Sequence, residues 1–348
     1  MKSDSEGRPY VDVFLLSHPD QDHCRGLQKH FHLAPLSEYK KPESEDAEED
    51  RDGDETEPKI VIREMWSSPM VFRRASKLHT LCDDAKAWNT EARRRVKHFR
   101  DNESAEDGDR ILVLGEDENG KTDDLEDILV KVGGLITGTN GKSEATLSTL
   151  LLAPNPVGDE EDEELRAKNQ SSVIMQFSIA CGGVPDACLF LTGGDAEVEI
   201  WERIWAAHKQ NPSGLKYDLM LTPHHCSWHS LSHDSWSDLG EDVKVSKDAR
   251  KALGQAREGA FVIASSKVIS DEDSDPPCAR AAREYRAIVN VKEVKGEFLN
   301  TASHPAVGKV APMVFDITVG GPMLRKSKVS AASSGSGSAI GRQPLMHG

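Results

Sequence analysis

Between Ser17 and Leu27 the chain reads SHPDQDHCRGL, and His18, Asp20, Asp22 and His23 fall within six residues. Two imidazoles and two carboxylates on one short loop suit Zn²⁺, Mn²⁺ or Fe²⁺. A tight loop after a strand holds several ligands rigidly, and one such loop can serve two adjacent ions. The simpler reading is a polar helix start, in which Ser17 or Asp20 caps and the histidines are surface residues. Two more stretches shift the balance. ACLFLTGGDAEVEIW is an apolar run that ends in Gly193–Gly194–Asp195, and YDLMLTPHHCSWHS is a second that ends in Pro223–His224–His225. An aspartate or imidazole just past a strand end is where an open α/β sheet displays functional groups.

The elements that must position these residues are readable from hydrophobic periodicity. Val11 to Ser17 is short, continuous and rich in β-branched residues, as a buried strand is. Further strands are expected at Lys59 to Met65, Arg110 to Leu114, Ser148 to Ala153, Ser172 to Ile179, Ala187 to Thr192, Tyr217 to Leu221, Ala260 to Ala264 and Met313 to Val319. Helices are expected at Cys24 to Phe31, within Arg73 to Arg100, and at Ala196 to Gln210, Ser246 to Arg257 and Cys278 to Val289. In the second of these, Leu78, Leu81, Ala85 and Trp88 recur at helical spacing. Strands interleaved with helices give an α/β architecture.

The chain has 348 residues and a formal net charge of −16. That charge is unevenly placed. Glu43 to Glu57 holds ten acids and one arginine, and Asp159 to Glu164 is entirely acidic, so the remainder is near neutral. Whole-chain charge therefore excludes no class of partner. Arg73 to Arg100 has nine Lys/Arg against three acids and ends in EARRRVKHFR, a run that could meet a phosphate backbone or pair with acids. No apolar run is long enough to cross a membrane. The start lacks the apolar region of a signal peptide. Six scattered cysteines without a CxxC read as reduced thiols, and a cytoplasmic location is expected.

The order H-x-D-x-D-H, then D, then HH resembles the metallo-β-lactamase superfamily. It is most similar to the branch containing the soluble hydrolase domain of bacterial DNA-uptake (competence) channels. That branch has T-H-x-H-x-D-H-x-x-G where this chain has SHPDQDHCRG, L-L-T-G-D where it has LFLTGGD, and V-P-H-H-G-S where it has LTPHHCS. NQSSVIMQF and GAFVIASS also resemble parts of it. The likeness spans roughly residues 10–38 and 146–320. It implies an αββα sandwich: a single domain over 1–325 with an acidic insertion at 40–57 and a helical insertion at about 66–102, followed by a disordered Ser/Gly-rich tail at 326–348.

The resemblance also implies two divalent metal ions, Zn²⁺ first and Mn²⁺ second. His18 and Asp20 would bind one, and Asp22 and His23 the other. Asp195 would bridge them, and His224 or His225 would complete the second site. A metal-bridging hydroxide would be the nucleophile, with Asp22 and Asp195 as the catalytic carboxylates. Phosphodiester hydrolysis of nucleic acid or a nucleotide is the activity so implied. A lactone, thioester or β-lactam substrate, or a non-catalytic binding module of the same fold, are the alternatives. Three departures stand out. Asp20 replaces a histidine, Gly194 is an extra residue, and Cys226 replaces a glycine. The superfamily's opening hairpin has no counterpart before Val11, so a missing segment or a partner protein would complete the sheet.

Other signals compete. LITGTNGKSEATL resembles the phosphate loop of Mur ligases, with Lys142 and Ser143 as contacts, although Ile136 stands where the first glycine belongs. The plainer reading is a Gly/Asn/Thr loop between strands. Cys24 could be a nucleophile or a small buried thiol. Trp228, His229, His233 and Trp236 could line a cleft or pack as core. His79 and His98 are further, weaker ligand candidates.

Overall fold

The computed structural model describes residues 1–41, 57–69, 81–117, 120–156, 171–271 and 275–326. Residues 42–56 of the acidic run, 327–348 of the segment expected as a tail, His79 and Asn169 lie outside the described residues. The protein is a mixed α/β chain with several sheets. The chain divides into two compact units. One comprises Met1–Glu144 with Ala153–Val173, and the other Ala145–Leu152 with Ile174 onward.

In the first unit β1 (Pro9–Leu16), β2 (Ile60–Ser67), β3 (Arg110–Leu114) and β4 (Leu129–Val130) lie side by side and parallel. Their runs are nearly continuous in apolar residues because a parallel sheet is covered on its faces. The register pairs Val11 with Ile62 and Leu16 with Ser67, which sets the end of β1 and the loop beyond it. Two four-residue helices follow that loop, α1 (Gln21–Cys24) and α2 (Leu27–His30). The sequence suggests one helix at Cys24 to Phe31. Gly26 divides the stretch, because its φ of +90° is left-handed and cannot continue a helix.

The helix expected as an insertion is α3 (Asp83–Asn102), the crossover between parallel β2 and β3. Ala85, Trp88, Ala92 and Val96 recur at three- and four-residue spacing and pack with Ile62, Met65, Ile111 and Val113 in this unit's core. On the same helix Arg95 and Glu91 are both buried and paired at 2.7 Å. Arg95 also donates to the carbonyls of Ile62 and Arg110 at 2.9 Å each.

In the second unit the strand order is β5 (Leu147–Ala153), β6 (Ile174–Cys181), β7 (Val184–Thr192), β8 (Tyr217–Leu221), β9 (Ala256–Ala264) and β10 (Glu297–Asn300). β6 and β7 form an antiparallel hairpin, and β7 through β10 run parallel. Helices α4 (Val198–His208), α5 (Lys247–Leu253) and α6 (Ala279–Val289) accompany this sheet. Trp201, Leu253 and Tyr285 are their deeply buried anchors. The helix expected through Arg257 stops at Leu253. Gly254 ends it, and Ala256 already belongs to β9. Arg257 instead extends along that strand to Asp218, with Nη1 2.8 Å from Oδ2.

Candidate functional site

The loop after β1 is held from several sides. Val173 donates its N–H to the Ser17 carbonyl at 3.0 Å. His18 is fully buried, and its Nδ1 lies 3.0 Å from Ser17 Oγ and 3.3 Å from Ser172 Oγ. Those hydroxyls engage Nδ1, so a metal would meet Nε2. Asp20 caps α1, its carboxylate accepting from the Gln21 N–H at 2.8 Å. The capping role foreseen in the simpler reading is therefore present at Asp20. Asp22 and His23 lie on α1, with Asp22 Oδ2 3.9 Å from His23 Nε2. The His18 and His23 rings are 4.3 Å apart.

A residue without a sequence signal fastens this loop. Asp84, in the first turn of α3, accepts from the N–H of Gly26 at 2.8 Å and of Gln28 at 2.9 Å. Ser172 is also unmarked by type, although it lies in the NQSSVIMQF stretch.

In the second unit β7 and β8 are adjacent and parallel, so their C-terminal ends fall together. Asp195 follows β7 and is 3% exposed. His224 and His225 follow β8. His224 Nε2 is 3.9 Å and His225 Nε2 3.7 Å from Asp195 Oδ2. The two loops are joined by a bond from the His224 N–H to the Gly194 carbonyl at 2.9 Å. The extra glycine of the GGD stretch is therefore a docking point for the HH loop. Gly193 is required for a different reason: a Cβ there would stand 2.8 Å from Pro223 Cγ and 2.9 Å from Trp201 Cζ2.

His225 Nδ1 lies 2.9 Å from the Ser265 carbonyl oxygen. A carbonyl only accepts, so Nδ1 carries a proton and Nε2, which faces Asp195, is the atom a metal would meet. This is the outer-sphere arrangement that orients a metal-binding histidine. His224, His225 and Cys226 have φ of 48°, 53° and 74°, three left-handed residues in succession without a glycine. Such strain persists only where surrounding contacts enforce it, and it concentrates at functional sites.

Asp22, His23, Asp195 and His225 form a group of four side chains that could hold a metal ion, the one such group found among the described residues. Two carboxylates and two imidazoles without a thiolate fit Zn²⁺ or Mn²⁺. His18, Asp20 and His224 are outside that group.

The competing signals resolve individually. The phosphate-loop reading is not met. Gly138–Thr139 and Lys142–Ser143 are two short antiparallel strands. Asn140 and Gly141, at φ of 53° and 67°, make the left-handed turn between them. A phosphate loop needs a helix N-terminus where Lys142 and Ser143 instead form a ladder. Cys24 is buried, and that burial pushes its thiol far up, so it does not fit the activated thiolate of a catalytic cysteine. Trp228 is fully buried and bonds the Asp234 carbonyl, which makes it core. His233 lies 3.2 Å from Glu199 and 3.1 Å from Glu202, and His229 lies 3.9 Å from Asp275. His98 is on α3, near Asp109 at 4.0 Å. The basic run falls on α3, where Arg94 pairs with Glu91 and Asp109, Lys97 with Asp101 and Arg100 with Asp124. Among the described residues no helix is long and apolar enough to cross a membrane.

Compared with protein-family models, with curated proteins and with solved structures, the chain matches none.

Proposed function

We propose that this protein is a cytoplasmic binuclear metallohydrolase of the metallo-β-lactamase type that cleaves a phosphodiester in nucleic acid or a nucleotide. In this reading the fold is the αββα sandwich of that superfamily. The observation that carries it is the donor set of Asp22, His23, Asp195 and His225, all at or just beyond strand ends. His18, Asp20 and His224 supply the remaining donors for a second ion, and Zn²⁺ is favoured over Mn²⁺. Bound metal would lower the pKa of water and neutralise charge developing on the phosphoryl oxygens.

The chain's own residues do the rest. The Ser265 carbonyl fixes the His225 tautomer, and the hydroxyls of Ser17 and Ser172 hold the His18 ring. Asp22, partly exposed on α1, takes the proton released at the nucleophile. The choice of a phosphodiester follows the sequence resemblance to the DNA-uptake branch.

The test is metal content by elemental mass spectrometry on protein purified without chelator, beside turnover of bis(p-nitrophenyl) phosphate. About two Zn or Mn per chain are expected. Asp195→Ala should hold one or none and lose turnover. Folded protein that takes up no metal from added Zn²⁺ or Mn²⁺ would end this reading. Metal without phosphodiester turnover, but with lactone turnover, would move the substrate class.

A further inference from the structure

The metal-ligand loop of the first unit carries a thiol with a partner. Cys24 directly follows His23 on α1, and its Sγ lies 3.6 Å from the Sγ of Cys82, 58 residues away in sequence. Cys82 is the N-cap of α3, with its sulfur accepting from the Ala85 N–H at 3.4 Å. The two sulfurs differ in access: Cys24 is 1% exposed, whereas Cys82 is half-buried. All six cysteines are unbridged. The ends of the two helices are already tied, because Asp84 grips Gly26 and Gln28 two residues from Cys82.

We propose that Cys24 and Cys82 form a reversible disulfide that acts as a thiol switch on the metal-ligand loop. The regulatory half of this inference rests on the metallohydrolase reading; the modification itself does not. A disulfide has an S–S length of about 2.05 Å, so closing the gap draws the sulfurs together by about 1.5 Å. Metal sites tolerate ligand displacements of about 0.2 Å. The closure is shared between the two side chains, and the part that falls on α1 shifts Asp22 and His23, which precede Cys24 in the same helical turn.

The oxidant is a peroxide. Hydrogen peroxide reaches half-buried Cys82 first. The sulfur attacks one peroxide oxygen, the O–O bond breaks, and the sulfenic acid and one water are formed. Cys24 Sγ then attacks the sulfenic sulfur. Its proton goes to the departing hydroxyl, which leaves as a second water. Two thiols and one peroxide thus become one disulfide and two waters. A cellular dithiol reverses it by exchange.

The second unit provides an internal control. Cys226 directly follows His225, and Cys278, the N-cap of α6, donates its N–H to the Cys226 carbonyl at 3.0 Å. Both of these thiols are buried, so no half-exposed sulfur is present for peroxide to reach.

The experiment treats reduced full-length protein with hydrogen peroxide, alkylates remaining thiols, and maps peptides by mass spectrometry without reduction. Mn²⁺ affinity is measured on the same samples, because Mn²⁺ is too hard to report thiolate binding. A peptide linking Cys24 to Cys82 is expected in wild type, with Cys226 and Cys278 alkylated. Mn²⁺ affinity should fall about tenfold or more on oxidation and return with a dithiol. Cys82→Ser, which keeps a good N-cap, should show neither change. Absence of the linked peptide at complete peroxide consumption overturns the proposal, as does a linked protein whose Mn²⁺ affinity is unchanged. If reduced protein binds neither Mn²⁺ nor Zn²⁺, the metallohydrolase reading and the switch both fall, while the linked peptide would still establish the modification site.

Discussion

Asp84 offers the sharpest test of how the loop of Asp22 and His23 is held. Its carboxylate accepts two N–H groups from the loop, Gly26 at 2.8 Å and Gln28 at 2.9 Å. Asp84→Ala removes both. The Gly26 N–H is partly buried, and losing its charged acceptor costs about 1.5–3 kcal/mol. The Gln28 N–H is exposed and turns to water at little cost. Asp84 also sits in the first turn of α3, where a carboxylate interacts with the helix dipole for about 0.3–1 kcal/mol. The sum is about 2–4 kcal/mol. Asp84→Asn keeps one carbonyl acceptor but no charge, and should lose about half as much. Urea unfolding gives the stability, and calorimetric titration with Mn²⁺ gives the affinity. Because the loop carries Asp22 and His23, affinity should fall about ten- to a hundredfold in the alanine variant. An unchanged urea midpoint with unchanged affinity would refute the idea that α3 fixes the loop.

Three further outcomes are expected. Gly193→Ala should lose about 1–3 kcal/mol in urea unfolding, because its new methyl meets Pro223 and Trp201 at under 3 Å; an unaltered midpoint would show that this corner is loose. Glu91→Ala should lose about 3–5 kcal/mol by leaving Arg95 buried without its carboxylate, and Glu91→Ala combined with Arg95→Met should recover part of that loss; a double variant less stable than the single one would contradict this. Glu64 is buried, and burial pushes its carboxyl above the usual 4.5 although Trp66 donates to it at 2.6 Å. Its protonated form is thus favoured by folding, so its contribution is present below the ordinary value and is lost as pH rises through the raised one. The difference in urea midpoint between wild type and Glu64→Gln should therefore shift in favour of the variant as pH rises from 4 toward 7; a pH-independent difference would refute the assignment.

Much of the fold was legible because its strands are nearly continuous apolar runs bounded by polar loops. Arg110–Leu114 and Tyr217–Leu221 lie where periodicity puts them. The errors occur where one residue reverses local preference. Gly26 divides what reads as one helix, and Gly254 releases Arg257 into a strand. The α3 segment has no counterpart in the resembled family, and Ala85, Trp88, Ala92 and Val96 place it against the sheet. At the site, the clustered side chains were readable because imidazoles and carboxylates rarely fall so close together by composition. Their supports were not. The Ser265 carbonyl has no side-chain signature, and Asp84 meets Gly26 across 58 residues of chain. The T-G-T-N-G-K run showed the opposite hazard: Asn-Gly favours a hairpin turn on local grounds alone, and that preference decided it.

The left-handed run at His224, His225 and Cys226 also bears on how this sequence can drift. Left-handed backbone is most accessible to glycine, and among other residues to asparagine, aspartate and histidine. Each alternative costs about 1–2 kcal/mol, and a β-branched residue more. Histidine is thus both a metal donor and one of the few side chains these positions accept. A lineage that lost the metal would not be free to fill them with valine or isoleucine. Its substitutions would be steered toward glycine, asparagine and aspartate, so the former site would stay polar and keep its shape after its chemistry had gone.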